Sequence, residues 1–447
     1  MDGKRPVNHI GDLRALHGEV RSFDNHNLGD RRPAARGNAS TRPCRRKRMT
    51  TSIIFRIFPL ALALIAGSVA AQSPEATNPT APDPIVPNIH LVPVPSPAAA
   101  EASAPAPAFF NPRFEVFGVV DLAARNASTK GQGQINSLAS GSYSSSRFGF
   151  RGEQDIGSGR TVSFWLESFL TADTGTTTPA GFQRRSTLSF VDPKWGEIRA
   201  GRDYTPTHTN WARFDPFGYV GIGSVQLLIL SATGKTPVTA AFGSNPNDVQ
   251  RANNGIQLIL PTNRWGIEGN YVHTFEEGGT AANDQHKGEG GHLGFTYAGF
   301  TLSGATLDTK DTSAVASGGF RDTALGAAYA LPWVRLSGGE RRLTYLHSRQ
   351  DTFLAAAQFF YGVQEFKLSW NRAEEKGFVS TTSINGDATN QYAVGYVYNW
   401  TKKSRFYATA ALMENKGHAL FVIPGAPAAN KGGLSSRGIE AGINQEF

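Results

Sequence analysis

Histidine offers proton transfer and metal binding near neutral pH, and His208, His273, His286, His292, His347 and His418 are scattered along the chain. A hydrolase needs more: a nucleophile, an adjacent base and a group that orients the base. None of the six lies in a His-x-Ser or His-x-x-His context. The acidic pairs Glu276-Glu277 and Glu374-Glu375 read as loop charge and lack metal-ligand spacing. The single cysteine, Cys44, precedes an expected cleavage point, so thiol chemistry is not expected in the mature chain. No catalytic residue, metal or cofactor is therefore expected. Charge placed on one side of strands does recur. Arg147, Arg151 and Glu153 alternate with Phe148 and Phe150, and Ser163 and Glu167 alternate with Val162, Phe164 and Leu166.

The elements that carry these charges have period two. The chain ends on such a strand, with Ile439, Ala441, Ile443 and Phe447 on one face and Glu440, Asn444 and Glu446 on the other. A strand greasy on one side and charged on the other suits lipid outside and water inside. We count about sixteen such segments from Phe114 onward. Their phase follows from magnitudes. If the strand around Arg147 were flipped, Arg147 and Arg151 would each cost roughly 2–4 kcal/mol at the bilayer midplane, so the arginines face the lumen. A soluble barrel would have to pack the phenylalanines inside, and this many strands cannot close around a filled core. Composition agrees: 40% hydrophobic residues and 49 glycines, mean hydropathy −0.30, and no apolar stretch near the roughly 20 residues of a spanning helix.

Upstream, Arg45-Arg46-Lys47-Arg48 precedes an apolar run and Val69-Ala70-Ala71, the pattern of a secretory signal peptide cleaved after Ala71. Residues 1–48 read as an upstream extension with Met49 as the start, 49–71 as the signal peptide, 72–112 as a Pro/Ala-rich linker and 113–447 as the barrel. The formal charge of +8 misleads, because residues 1–71 hold 13 basic and 5 acidic side chains. The remainder balances at 31 of each, which removes the main support for a nucleic-acid partner.

Three motifs in order resemble the general trimeric porins of the Gram-negative outer membrane. They are Ser146-Arg147-Phe148-Gly149-Phe150-Arg151-Gly152-Glu153; Gly196-Glu197-Ile198-Arg199-Ala200-Gly201-Arg202-Asp203-Tyr204-Thr205-Pro206 with Asp215-Pro216-Phe217-Gly218; and the ending from Tyr396 and Tyr398 through Lys402, Lys403 and Tyr407 to Phe447. The resemblance implies an all-β transmembrane antiparallel barrel of about sixteen strands, whose long third loop (about residues 204–248) folds into the lumen. It implies passive diffusion of small hydrophilic solutes, with a substrate-specific channel as the alternative and a barrel enzyme as a distant third.

By the same resemblance, Arg147, Arg185 and Arg251 form the basic side of the constriction and Asp215 the acidic side, with Arg151, Glu153 and Glu167 as lumenal support. Opposed charge rows make a transverse field, and three bases against one acid suggest a mild anion preference. Phe447 is the recognition end for the barrel-assembly machinery. Outer-membrane lipid and two further copies of the chain are the remaining partners. Trp370, Tyr396, Tyr398, Trp400 and Tyr407 are expected in interfacial girdles. Two departures stand out. The loop carries Val225-Gln226-Leu227-Leu228-Ile229-Leu230 and no acid between Asp215 and Asp248, and Phe190 and Trp195 are unusual in their hairpin. Either the apolar run packs on the wall, or the constriction is unusually dry and narrow.

Overall fold

The computed structural model describes residues 112–177, 181–230, 233–243, 249–275, 286–310 and 318–447. The expected extension, signal peptide and nearly all of the linker lie outside the described residues, as do Glu276 and Glu277. Antiparallel strands follow one another: β1 (Arg113–Thr129), β2 (Gly133–Ser140), β3 (Arg147–Asp155), β4 (Thr161–Thr171), β5 (Thr176–Thr177), β6 (Arg185–Asp192), β7 (Gly196–Tyr204), β8 (Arg251–Leu260), β9 (Ile267–Thr274) and β10 (Gly288–Tyr297). The series continues with β11 (Phe300–Lys310), β12 (Gly319–Ala330), β13 (Val334–Tyr345), β14 (Ser348–Tyr361), β15 (Gln364–Val379), β16 (Thr382–Ser383), β17 (Ala388–Asn399), β18 (Ser404–Lys416) and β19 (Ser436–Glu446).

β5 and β16 are two-residue ribbons beside their neighbours, and β2 and β3 share one wall position, because β1 pairs with β2 through its second half and with β3 through its first. Sixteen wall positions remain. The barrel closes where residues 119–129 pair with 436–446, so no sheet edge is left open.

The burial pattern is inverted relative to a soluble protein. Along β15, Lys367, Ser369 and Asn371 are buried, whereas Phe366, Leu368 and Trp370 are exposed. On β19, Glu440 and Asn444 are buried and Ile439 and Ile443 exposed. The expected phase of Arg147 against Phe148 and Phe150 holds, with Arg147 at 8% exposure. One end of the barrel has short connections, and Trp195, Trp265, Trp333 and Trp400 sit there, all strongly exposed. Indole rings with one wet edge and one greasy face settle at such an interface. Tyr398 and Trp400 fit the expected girdle. Tyr407 does not: it is buried and donates its hydroxyl to Asp121 Oδ1 at 2.7 Å. It shares the inward face of β18 with Arg405, two residues earlier. Phe190 and Trp195 are exposed on the outer face, so their unusual size concerns lipid and not the pore.

The second wall strand breaks at residues 141–146. There the Asp121 carboxylate accepts hydrogen bonds from the backbone N–H groups of Ser142 (2.7 Å), Tyr143 (3.2 Å) and Ser144 (3.2 Å). Asn444 Nδ2 adds a fourth donor at 2.9 Å. Asp121 thus ties the break to the seam where the barrel closes.

Among the described residues, the connection between β7 and β8 holds three short helices, α1 (Pro206–Ala212), α2 (Gln226–Ile229) and α3 (Pro237–Phe242). Thr205 caps α1 by accepting from His208 N, with proline opening the helix. The loop lies on the inner wall. Trp211, Phe214, Tyr219 and Val225 pack on Ala324, Ala328 and Leu354. Phe217, Ile222 and Leu228 pack on Ala373, Ala393, Ala411 and Met413. The apolar run therefore packs on the wall. The connection after β18 joins it, placing Ala419, Phe421 and Ile423 in the same cluster as Ile222 and Leu228. The open space beside it is lined by side chains of β3, β4 and β6 to β10, and of β15, β18 and β19.

Candidate functional site: an arginine-lined passage

The open passage is lined by Arg147, Arg184, Arg185, Arg199, Arg213, Arg251, Lys367 and Arg405, and by four carboxylates, Glu167, Asp203, Glu268 and Glu446. Alternation places them. In β7, Ile198 is exposed outside while Arg199 is turned inward beside Asp203 at 2.7 Å.

The three sequence-expected bases all line this passage. Arg147 donates to Ser144 Oγ at 3.0 Å and Ser145 O at 2.9 Å, and stands 3.8 Å from Glu167. Arg251 donates to Arg184 O at 2.9 Å and Tyr204 Oη at 2.9 Å. Arg184 pairs with Glu167 and also donates to Tyr204 Oη at 2.9 Å. Both Arg184 and Arg251 stack over Phe169, at 4.6 and 5.2 Å. Two guanidiniums, Arg147 and Arg184, therefore share one carboxylate, and Arg251 beside them is held by neutral oxygens. Arg185 belongs to a different group: with Arg199 it faces Asp203 and Glu197, two against two. Its guanidinium lies 4.6 Å over Trp165. The surplus positive charge thus sits at Arg147, Arg184 and Arg251.

Arg184 was missed because it precedes its strand, where period two gives no direction. Its neighbour Arg185 was the residue the motif pointed to. Arg199 was legible in the alternation of Glu197, Ile198 and Arg199. Among the expected supports, Glu167 is central. Arg151 and Glu153 lie further toward the short-turn end, paired with Glu115 at 2.6 Å and Arg113 at 3.1 Å.

Asp215 departs from the expectation of an acid facing the arginines. It is 2% exposed, and both oxygens bind its own loop, accepting from Phe217 N (2.9 Å), Ser224 Oγ (2.8 Å) and Val225 N (3.1 Å). Among the described residues, the loop side chains on the passage, Arg213 and Gln226 among them, include no carboxylate. Burial also holds the His208 imidazole neutral, its pKa well below the ordinary value. The described part of the loop therefore sets no acidic row opposite the arginines.

Burial raises the Asp215 carboxyl from 3.8 to about 6, against the pull of its backbone and Ser224 hydrogen bonds. The folded loop then binds a proton more tightly than the unfolded chain. Its stability is full below about pH 4, declines as pH rises to about 6, and is level above, a loss of about 3 kcal/mol. Protection factors of the Phe217 and Val225 amides measured across that range should fall accordingly, and Asp215→Asn should remove the slope.

A family model for Gram-negative porins matches residues 60–418. Outer membrane porin protein 32 of Delftia acidovorans is 28% identical over 346 residues, covering 74% of this chain and 93% of that protein. An outer membrane porin protein of Bordetella pertussis is 32% identical over 97 residues, 21% of this chain and 24% of that one. The anion-selective porin from Comamonas acidovorans superposes with a TM-score of 0.65 at 25% identity, over 75% of this chain and 100% of that one. OmpF of Salmonella typhi reaches 0.51 at 15% identity over 75% and 97%, a likeness of fold.

Proposed function

The chain belongs to the Gram-negative porin family, and from that premise we propose that its outer-membrane channel selects for small anions. The channel itself is a water-filled barrel for passive diffusion, as in the porins it matches. The observation that carries the selectivity is the set of eight cationic side chains against four carboxylates along the passage. The anion selectivity named for the Comamonas structure supports the same reading. A unit charge about 8 Å from one net positive charge gains or loses about 0.5 kcal/mol even at water's dielectric constant, so anion and cation differ by about 1 kcal/mol. That is roughly fivefold in permeability per net charge.

Reversal potential in a planar bilayer under a salt gradient tests this. The wild-type sign should favour anions, and Arg147→Gln combined with Arg251→Gln should lower the anion-to-cation ratio by at least about fivefold. A cation-favouring wild type would remove the reading.

Trimerisation, contact with outer-membrane lipid and use of Phe447 by the assembly machinery belong to the same proposal. Supporting the last, Phe447 extends the closing seam, its N–H donating to Gly118 O at 3.1 Å. Its ring covers Gly118 so closely that a Cβ there would stand 2.2 Å from it. The family's members are channels, and no catalytic role is proposed.

A further inference from the structure

The inner wall holds a group of oxygens that the passage does not use. Glu375 reads from sequence as loop charge, yet it is 3% exposed on the inward face of β15. Cross-strand register sets Gln350 of β14 directly beside it. On its other side stands Asp387, just before β17, whose backbone oxygen accepts from Glu375 N at 2.9 Å. Gln350 and Asp387 are buried as well. Two acids directly opposite on one face of a sheet repel, and burial deepens the penalty. The spacing of Glu374-Glu375 carried no sign of this, because the partners come from neighbouring strands.

Donors do not match these acceptors. Glu375 Oε1 and Gln350 Oε1 are both buried and have no hydrogen-bond partner. The Gln350 amide is oriented by its other end, where Nε2 donates to Leu228 O at 2.7 Å and to Thr352 Oγ1 at 3.0 Å. Asp387 Oδ1 accepts from His418 N at 2.6 Å, and the His418 side chain, 3.4 Å from it, is 88% exposed. Among the described residues, no lysine or arginine pairs with either acid. Lys235 donates to Thr382 Oγ1, and Arg349 and Lys376 pair with Asp351. The next strand, β18, brings Gly417, where a Cβ would stand 2.2 Å from Asp387 Oδ1.

We propose that Gln350 Oε1 and the carboxylates of Glu375 and Asp387 bind one divalent cation of the calcium type. All three ligands are hard oxygens, the kind such ions take, and two carboxylates balance the charge of one ion. A proton held between Glu375 and Gln350 would satisfy those two oxygens but leave Asp387 charged and buried beside them. A dication neutralises the whole rung. Calcium accepts irregular oxygen sets, with water completing the shell, whereas magnesium dehydrates reluctantly and suits a buried rung less well. The exposed His418 marks the way in from loop-side solvent. The ion ties β14, β15 and the segment before β17 to the connection after β18. Through Gln350 and Leu228 O it reaches the third loop as well.

The test is equilibrium dialysis of radioactive calcium against the full chain refolded in detergent, with the heat-conversion temperature of the folded band read in parallel. Wild type should bind one ion more than Glu375→Gln combined with Asp387→Asn, at a Kd of about 10⁻⁴–10⁻³ M, the range of extracellular calcium modules. The paired variant keeps the shape of the rung and removes both charges, each worth about tenfold or more in affinity. Calcium should raise the conversion temperature of wild type and leave that of the paired variant where it was. Glu375→Gln alone should weaken binding by about tenfold, and it serves where the pair does not fold. Equal binding by wild type and the charge variants would overturn the proposal. So would a wild type that retains no ion at about ten times the upper Kd, which would assign the rung to a proton on Glu375.

Discussion

Asp121→Ala should lower the folded barrel's stability by about 3–5 kcal/mol, the range for stripping one partner from a buried charged network. The carboxylate accepts from Ser142 N, Tyr143 N, Ser144 N, Tyr407 Oη and Asn444 Nδ2, and its loss leaves all five donors facing each other. Those donors come from the broken second strand, from β18 and from the closing strand β19. The substitution therefore strikes the break at residues 141–146 and the seam together. Asp121→Asn keeps one acceptor but turns an N–H₂ toward donors, so it should fall between alanine and wild type. The temperature at which the folded electrophoretic band converts to the unfolded one measures this directly. A wild-type transition in Asp121→Ala would sink the assignment. There is a functional corollary. Arg147 is held by Ser144 Oγ and Ser145 O, so loosening this segment should also raise open-channel noise at temperatures where the barrel remains folded.

Much of this was readable in advance because a barrel wall obeys a two-residue period, and lipid punishes any charge that breaks it. Arg147 against Phe148 was enough to set inside and outside for β3, and Glu440 against Ile439 did the same for β19. Tyr407 was legible but misplaced: Arg405 shares its face, whereas Phe406 is the ring that meets lipid. Asp215 was not legible. Its motif located it in the third loop, but no periodicity aims a loop side chain, and three donors of its own loop captured it. Arg184 stood outside its strand for the same reason. The break at 141–146 was written as Gly141 followed by serines, which reads as a turn. What made it a lumenal feature was a partner 20 residues upstream, Asp121.

The third loop should be releasable without unfolding the barrel, and from either side of its contact. Trp211 and Phe214 are fully buried on the inner wall, and their seats are glycines. A Cβ at Gly326 would stand 2.4 Å from the Phe214 ring, and one at Gly339 would stand 2.8 Å from Trp211. Trp211→Ala removes the knob at about 3–5 kcal/mol of anchorage. Gly326→Val fills the hole and should eject Phe214 without touching the loop. Deleting residues 225–230 removes Leu228 and Ile229 from two further clusters. All three changes should enlarge single-channel conductance and flatten the anion preference, because ions could then pass further from Arg147, Arg184 and Arg251. The heat stability of the barrel should stay close to wild type, since the wall hydrogen bonds are between strands and owe nothing to the loop. Agreement between the knob and hole variants matters most, because they share no altered residue and differ only in which surface is changed. Unchanged conductance in both would mean that the loop does not bound the passage.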